Sequence, residues 1–221
     1  MRLLDSLSFT FDSYPNIRGD IGEEILNLQA PYLKSLMLDF SGCENLFGEG
    51  IFLPLLSNSL QELDLLFFSR ITDEAFTKLC QRIKTLKLKF LKFYFEDCEL
   101  FTNDGTSSLC FDVLQNQAEL ESLHLDFLEC HKITNDSMET LYYDGLYHLT
   151  KLKKLYLMFR DCELTTPANF ERLKSKVSNL PNYSSKSWSL NYINSSNTNN
   201  ENNPNNAPDN NPAPFGCDGV V

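Results

Sequence analysis

The segment LESLHLDFLECHKIT, residues 120–134, contains the pattern that indicates the architecture of this chain. It opens with the pattern L-x-x-L-x-L-x-F, and Cys130 follows ten residues after the first leucine. The frame L-x-x-L-x-[LF]-x-F occurs six times in the chain, with repeats that start at Leu4, Leu33, Leu60, Leu88, Leu120 and Leu152. The sequence therefore contains an internal repeat, and a repeat of this length indicates a stacked architecture.

The repeat starts are separated by 29, 27, 28, 32 and 32 residues, so the period is kept loosely. Cysteine takes the same repeat position in four copies, as Cys43, Cys98, Cys130 and Cys162. A second frame, Ile83-x-x-Leu86-x-Leu88-x-Phe90, also fits the opening of the fourth copy. We prefer the frame that starts at Leu88, because only this one places Cys98 at the shared position.

Each repeat predicts a strand followed by a helix. Apolar residues at positions 4, 6 and 8 alternate with other residues, which predicts a strand that buries one face. After the cysteine position the spacing becomes helical, with start signals such as Thr72-Asp73-Glu74 and Thr166-Pro167. In the first copy, Asp20-x-x-Glu23 predicts a capping box. Neither element can bury its apolar face alone, so the units must stack on one another.

These repeats resemble leucine-rich repeat proteins of the cysteine-containing, ribonuclease-inhibitor-like kind, whose repeats run L-x-x-L-x-L-x-x-C-x-x-[IL]-[TD]. The likeness is carried by segments such as Cys130-His131-Lys132-Ile133-Thr134 and Ile71-Thr72-Asp73. The resemblance implies an α/β fold, a leucine-rich repeat solenoid (horseshoe) of six strand-helix repeats, with a parallel concave sheet and helices on the convex side. In this chain the cysteine falls two residues later than in the family pattern, which implies strands that are longer by one pleat.

The repeats cover residues 1–182, which we predict to form the leucine-rich repeat domain. Residues 183–193 include an alternating stretch that predicts a C-terminal edge strand or capping segment. Residues 194–221 are rich in asparagine, and this composition predicts a disordered tail. Because Leu4 opens a repeat without a cap before it, either the first repeat is itself the cap or the chain is a fragment of a longer protein.

The charge of the chain excludes two classes of partner. Lys and Arg number 19 against 30 Asp and Glu, a formal net charge of -11. This charge repels nucleic-acid phosphates and anionic lipid, so we expect neither nucleic acid nor membrane as a partner. No apolar run approaches the roughly 18 residues of a membrane span, and the start of the chain lacks the pattern of a signal peptide. We therefore expect a cytoplasmic protein; its oligomeric state is not predicted.

Nothing in the sequence predicts catalysis. The seven cysteines are widely spaced and form no Cys-x-x-Cys pair. A column of cysteines in a stack is a line, whereas a zinc ion needs ligands that converge on one point, so we interpret the column as buried packing residues. Nucleophile elbows, nucleotide-binding glycine loops and kinase signatures are missing from the sequence, and the three histidines are scattered. We predict no catalytic residue, no cofactor and no metal ligand.

The predicted binding surface is the concave face of the sheet. If positions 4, 6 and 8 point inward, positions 5, 7 and 9 face outward. With the flanking positions 3 and 10, this face and its rim hold nine acidic and three basic residues. Aromatic residues and methionine among charges are typical of protein interfaces. The predicted partner-binding residues are Met37, Asp39, Asp64, Leu66, Phe68, Lys92, Tyr94, Glu96, His124, Asp126, Leu128, Tyr156, Met158 and Arg160.

Our first functional hypothesis is a non-enzymatic scaffold that binds a protein or peptide, most simply a basic one, through this face. The family resemblance leaves a regulatory alternative, either a substrate adaptor of a ubiquitin ligase or a GTPase regulator. A third reading is that the chain is the binding fragment of a longer enzyme such as a kinase. A leucine-rich repeat scaffold hosts all of these, so the fold alone does not choose among them.

Overall fold

The computed structural model describes residues 4–10, 32–40, 58–68 and 71–195. These residues form one sheet of seven parallel strands in sequential order, β1 to β7. The strands are β1 (Ser6–Thr10), β2 (Ser35–Asp39), β3 (Glu62–Phe68), β4 (Phe90–Glu96), β5 (Ser122–Leu128), β6 (Lys154–Arg160) and β7 (Trp188–Ile193). Each strand pairs only with its neighbours in the chain, which is the arrangement expected of stacked repeats.

The register settles which frame holds in the fourth repeat. Leu91 and Phe93 of β4 pair with Leu63 and Leu65 of β3, so the frame that starts at Leu88 is the correct one. β3 to β6 have seven residues each, which agrees with the extra pleat predicted from the position of the cysteine. β7 lies next to β6 and forms an edge of the sheet, where the alternating stretch predicts an edge strand.

Residues 71–195 contain four α-helices, whereas the sequence predicts six strand-helix repeats. They are α1 (Asp73–Ile83), α2 (Asn103–Ser108), α3 (Asn135–Thr140) and α4 (Pro167–Ser178). The helices predicted for the first two repeats lie outside the described residues, as do the Asp20-x-x-Glu23 box, Cys43 and the tail beyond residue 195. The structure therefore shows a repeated α/β arrangement around a parallel sheet. None of its helices in the described ranges is long and apolar enough to cross a membrane.

A threonine is the N-cap residue of each of these four helices. The hydroxyl oxygens of Thr72, Thr102, Thr134 and Thr166 accept hydrogen bonds from backbone N–H groups in the first turns. Such N-caps satisfy donors that the helix itself leaves without a partner. After α2 and α3 the chain continues as a π-helical turn and then a short 3-10 turn, over 109–116 and 141–148.

The core lies between the sheet and the helices. Phenylalanines at position 8 of successive repeats stack in a column, with ring centroids 5.3 Å apart for Phe67 and Phe95, and 5.1 Å apart for Phe95 and Phe127. Phe76 of α1 packs edge-on against this column. The added pleat of β3 to β6 is thus filled by an aromatic ring, which widens the core by one layer.

The cysteine column is buried, as predicted. Cys98, Cys130 and Cys162 are at most 1% exposed and unpaired. Each thiol lies within hydrogen-bonding distance of a carbonyl oxygen of the preceding strand, as Cys130 Sγ lies 3.6 Å from Phe95 O. Burial raises the pKa of the Cys162 thiol, so it stays protonated and donates. These cysteines join adjacent repeats at the end of each strand.

Candidate functional site

The candidate site is the sheet face that lies opposite the core. Helix side chains pack on the leucine and phenylalanine side of the sheet, and the alternate residues of β2 to β6 point to the other side, here named the open face. The register arranges the predicted residues in three rows. These rows are Met37, Asp64, Lys92, His124, Tyr156; Asp39, Leu66, Tyr94, Asp126, Met158; and Phe68, Glu96, Leu128, Arg160.

The structure places most of the predicted side chains where they can meet a partner. All but two of the fourteen are partly or fully exposed. The first exception is Met158, which belongs to an outward row but is only 5% exposed. The second is Phe68, whose backbone pairs with Glu96 but whose side chain lies outside the described residues.

A short aromatic stack crosses the middle of the open face. The His124 ring lies 4.5 Å from the Tyr94 ring and 4.1 Å from the Tyr156 ring, measured between centroids. These contacts join three neighbouring strands through side chains on one face. Half-buried aromatic rings on an otherwise polar surface are the kind of anchor that protein interfaces use.

Carboxylates surround this stack in partly dehydrated positions. Burial raises the pKa of Asp126 to about 6, against the attraction of Arg160, while the charge of Glu96 raises it further. Burial also raises the pKa of Asp64, although Lys92 opposes the shift from 3.1 Å away. Each of these anions is therefore less stable on the open face than in water.

Two buried polar atoms on the open face, Asp64 Oδ1 and His124 Nε2, have no hydrogen-bond partner among the described residues. Both residues belong to the same row, two strands apart. Burial, and then the charge of Lys92, lowers the pKa of His124 to about 4, so the ring is neutral at pH 7. A buried polar atom without a partner costs about 1–3 kcal/mol, and a bound group that pairs with it would recover part of this.

Sequence reasoning found the rows but missed the pairings across them. The aromatic stack depends on which residues of neighbouring strands are in register, and the repeat alignment supplies that register. The alignment could therefore have revealed Tyr94, His124 and Tyr156 as neighbours. The unpartnered atoms could not have been found in this way, because they depend on rotamers.

No protein-family model matches the chain, and a search of the curated proteins finds no relative.

Proposed function

We propose that the chain is a leucine-rich repeat protein that works without catalysis, and that its open face is a concave surface that binds a basic protein or peptide. The repeat pattern and the sequential parallel sheet support the first part. The binding of a basic partner is supported by the carboxylates around the aromatic stack, which are partly dehydrated and have raised pKa values.

A cationic partner fits this surface for an electrostatic reason. The negative charge of Glu96 raises the energy of the Asp126 anion, and a positive charge from a partner would lower it. The Lys92 ammonium already pairs with Asp64. Asp126 lies between Tyr94 and Met158 in its row, so a partner's cation placed there would have apolar groups on both sides. Charge pairing in such a setting is less screened than at an exposed surface.

Proximity labelling with the full chain, followed by affinity measurement on the captured proteins, tests the proposal. The variant Glu96→Gln/Asp126→Asn removes two charges from the open face while it keeps the shape of both side chains. We expect it to lose partners that are basic and whose binding weakens as salt concentration rises. Loss of a dehydrated charge pair should weaken the affinity by about tenfold or more.

The matched control is Glu119→Gln/Glu171→Gln, which removes two charges from exposed positions away from the open face. This control should retain the partners. The proposal fails if the captured proteins are the same for both double variants, or if they are lost equally from both. It also fails if binding to the captured partner does not change between low and high salt.

A further inference from the structure

A group of three potential metal ligands lies where β4 and β5 end. Asp97 directly follows β4, Glu129 directly follows β5, and His131 lies two residues farther along the chain. One ligand atom from each side chain can be chosen so that all three atoms lie within 4.8 Å of one another. The set contains two carboxylate oxygens and one imidazole nitrogen, so it is a mixed donor set.

The backbone explains why these residues meet. Asp97 and Glu129 take the same repeat position, and both have a positive φ, 51° and 53°. The left-handed conformation turns the chain at the end of each strand, and the Asp97 N–H donates to Leu128 O at 2.9 Å. The turn sends Cys98 and Cys130 into the core and leaves the flanking side chains outside, so the thiols are not available as ligands.

The two carboxylates and one imidazole nitrogen of this group have no partner within the part of the chain that the structure describes. Among the described residues, neither the Asp97 nor the Glu129 carboxylate takes part in a hydrogen bond or an ion pair, and His131 Nδ1 is buried without a hydrogen-bond partner. Asp161 provides the comparison, because it takes the same position one repeat later. Its carboxylate accepts hydrogen bonds from the N–H and hydroxyl groups of Ser195. The carboxylate of Asp161 thus receives hydrogen bonds from the protein. At Asp97 and Glu129, a bound cation can take the place of such donors.

The neighbouring carboxyl of Glu96 shows how crowded the negative charge is. Glu96 directly precedes Asp97 and pairs with Leu128, the residue before Glu129, so three acidic residues lie at this end of β4 and β5. A divalent cation between Asp97 and Glu129 would reduce this repulsion.

We propose that Asp97, Glu129 and His131 bind a divalent first-row transition-metal ion at this end of the sheet. Carboxylates suit manganese, imidazole suits zinc and iron, and a mixed set accepts any of these ions. Neighbouring ligand atoms at about 2.1 Å from one ion are about 3.0–3.4 Å apart, so the three ligand atoms need to approach one another by up to about 2 Å. Water completes the coordination, since three protein ligands leave positions open.

Asp97 and Glu129 take position 10, on the rim of the open face, but none of the three ligands belongs to its rows, so metal binding can be measured without a protein partner. Mn²⁺ is the probe of choice, since its affinity for thiolates is low and unfolded cysteines will not compete for it. The full chain is titrated with Mn²⁺ at pH 7.5, and free Mn²⁺ is measured by electron paramagnetic resonance. We expect one ion per chain with a Kd below about 1 mM, the weak end of protein cation sites.

Three variants identify the ligands. Glu129→Gln, Asp97→Asn and His131→Gln should each weaken Mn²⁺ binding by about tenfold or more. Pulsed resonance of the bound ion should show coupling to an imidazole nitrogen, and His131→Gln should abolish it. Glu171→Gln and His148→Gln are matched controls of the same chemical type far from the site, and they should leave binding unchanged.

Competition with Zn²⁺, Mg²⁺ and Ca²⁺ tests the class of ion. Zn²⁺ should displace Mn²⁺ at a lower concentration than Mg²⁺ or Ca²⁺, because only transition-metal ions gain from the imidazole ligand. Circular dichroism checks that each variant is folded. The proposal is overturned if the wild-type chain binds no Mn²⁺ below 1 mM, if the nitrogen coupling is missing, or if the controls weaken binding as much as the ligand variants.

Discussion

The Asp73 carboxylate joins two consecutive repeats, and its removal gives the sharpest test of the fold. Asp73 Oδ1 accepts hydrogen bonds from the backbone N–H groups of Thr102, at 2.8 Å, and Gly105, at 3.0 Å. Its Oδ2 accepts a third from the Thr102 hydroxyl at 2.7 Å. The carboxylate at the start of α1 thus holds the first turn of α2.

Asp73→Ala removes all three bonds and leaves two backbone N–H groups without their partner. A hydrogen bond to a charged group contributes about 1.5–3 kcal/mol, but bonds that share one side chain are not additive. We expect the free energy of unfolding to fall by about 2–4 kcal/mol. Urea denaturation, followed by circular dichroism and compared at a constant m value, measures this change.

Asp73→Asn should cost much less, about 1 kcal/mol or below. The next repeat shows why, because Asn103 makes the same connection. Its Oδ1 accepts from the backbone N–H of Thr134, and its Nδ2 donates to the Thr134 hydroxyl. An amide therefore serves at this position where a carboxylate does in the previous repeat.

Glu74→Ala is the control for Asp73→Ala. Glu74 lies next to Asp73 in the first turn of α1, but its side chain is 80% exposed and its ion pair is with Lys78 of the same helix. Its removal should cost far less than the removal of Asp73, because an exposed ion pair on a helix surface contributes little to stability. The reasoning is refuted if Asp73→Ala costs no more than Glu74→Ala, or if Asp73→Asn costs as much as Asp73→Ala.

Three further predictions concern the core, the tight turn of α2 and the pH dependence. Phe127→Ala opens a cavity between the Phe95 and Phe159 rings, whose centroids each lie 5.1 Å from that of Phe127. The free energy of unfolding measured in urea should fall by about 3–5 kcal/mol. Leu128→Ala on the open face should lower it by under about 1 kcal/mol. Gly105→Ala would place a Cβ 2.3 Å from the Phe101 ring and 2.6 Å from Asp73 Oδ1, so the melting temperature should fall, and an unchanged melting temperature would contradict the packing. For pH, the raised pKa of Asp126, about 6, makes stability fall as pH rises from about 4 to 6, while the lowered pKa of His124, about 4, makes stability rise over nearly the same range. The two effects oppose each other in the wild-type chain. Relative to wild type, the unfolding free energy of Asp126→Asn should therefore increase with pH over this range, and that of His124→Gln should decrease with pH. Identical pH profiles of unfolding free energy for both variants would show that these groups do not titrate as described.

Much of the fold could be predicted because the repeat has a simple physical meaning. Alternation in L-x-x-L-x-L-x-F assigns Leu123, Leu125 and Phe127 to one face of a strand, and burial of that face follows from their apolar character. The threonines before α1 and α4 were found in the same way, because a hydroxyl before an apolar helical pattern satisfies free N–H groups.

The candidate site was predicted only in outline. The sequence identifies Asp126 and Met158 equally as outward-facing, but Met158 is buried while Asp126 is only partly so. Position in an alternating pattern gives the side of the sheet to which a side chain points. It does not predict how exposed that side chain is in the folded chain, because exposure also depends on the side chains of neighbouring strands.

The repeat pattern alone shows that this chain repeats and which residues of each strand face the core, and it predicts acidic residues at the outward-facing positions. Three contacts follow from the folded arrangement and not from the pattern: the stack of Tyr94, His124 and Tyr156, the hydrogen bonds of Asp73 at Thr102, and the meeting of Asp97 and Glu129 beside His131. The physical reason is that periodicity is a property of one strand or helix, whereas these contacts join residues about 30 positions apart. They depend on register, on the left-handed turns at Asp97 and Glu129, and on the rotamers that the packed neighbours allow.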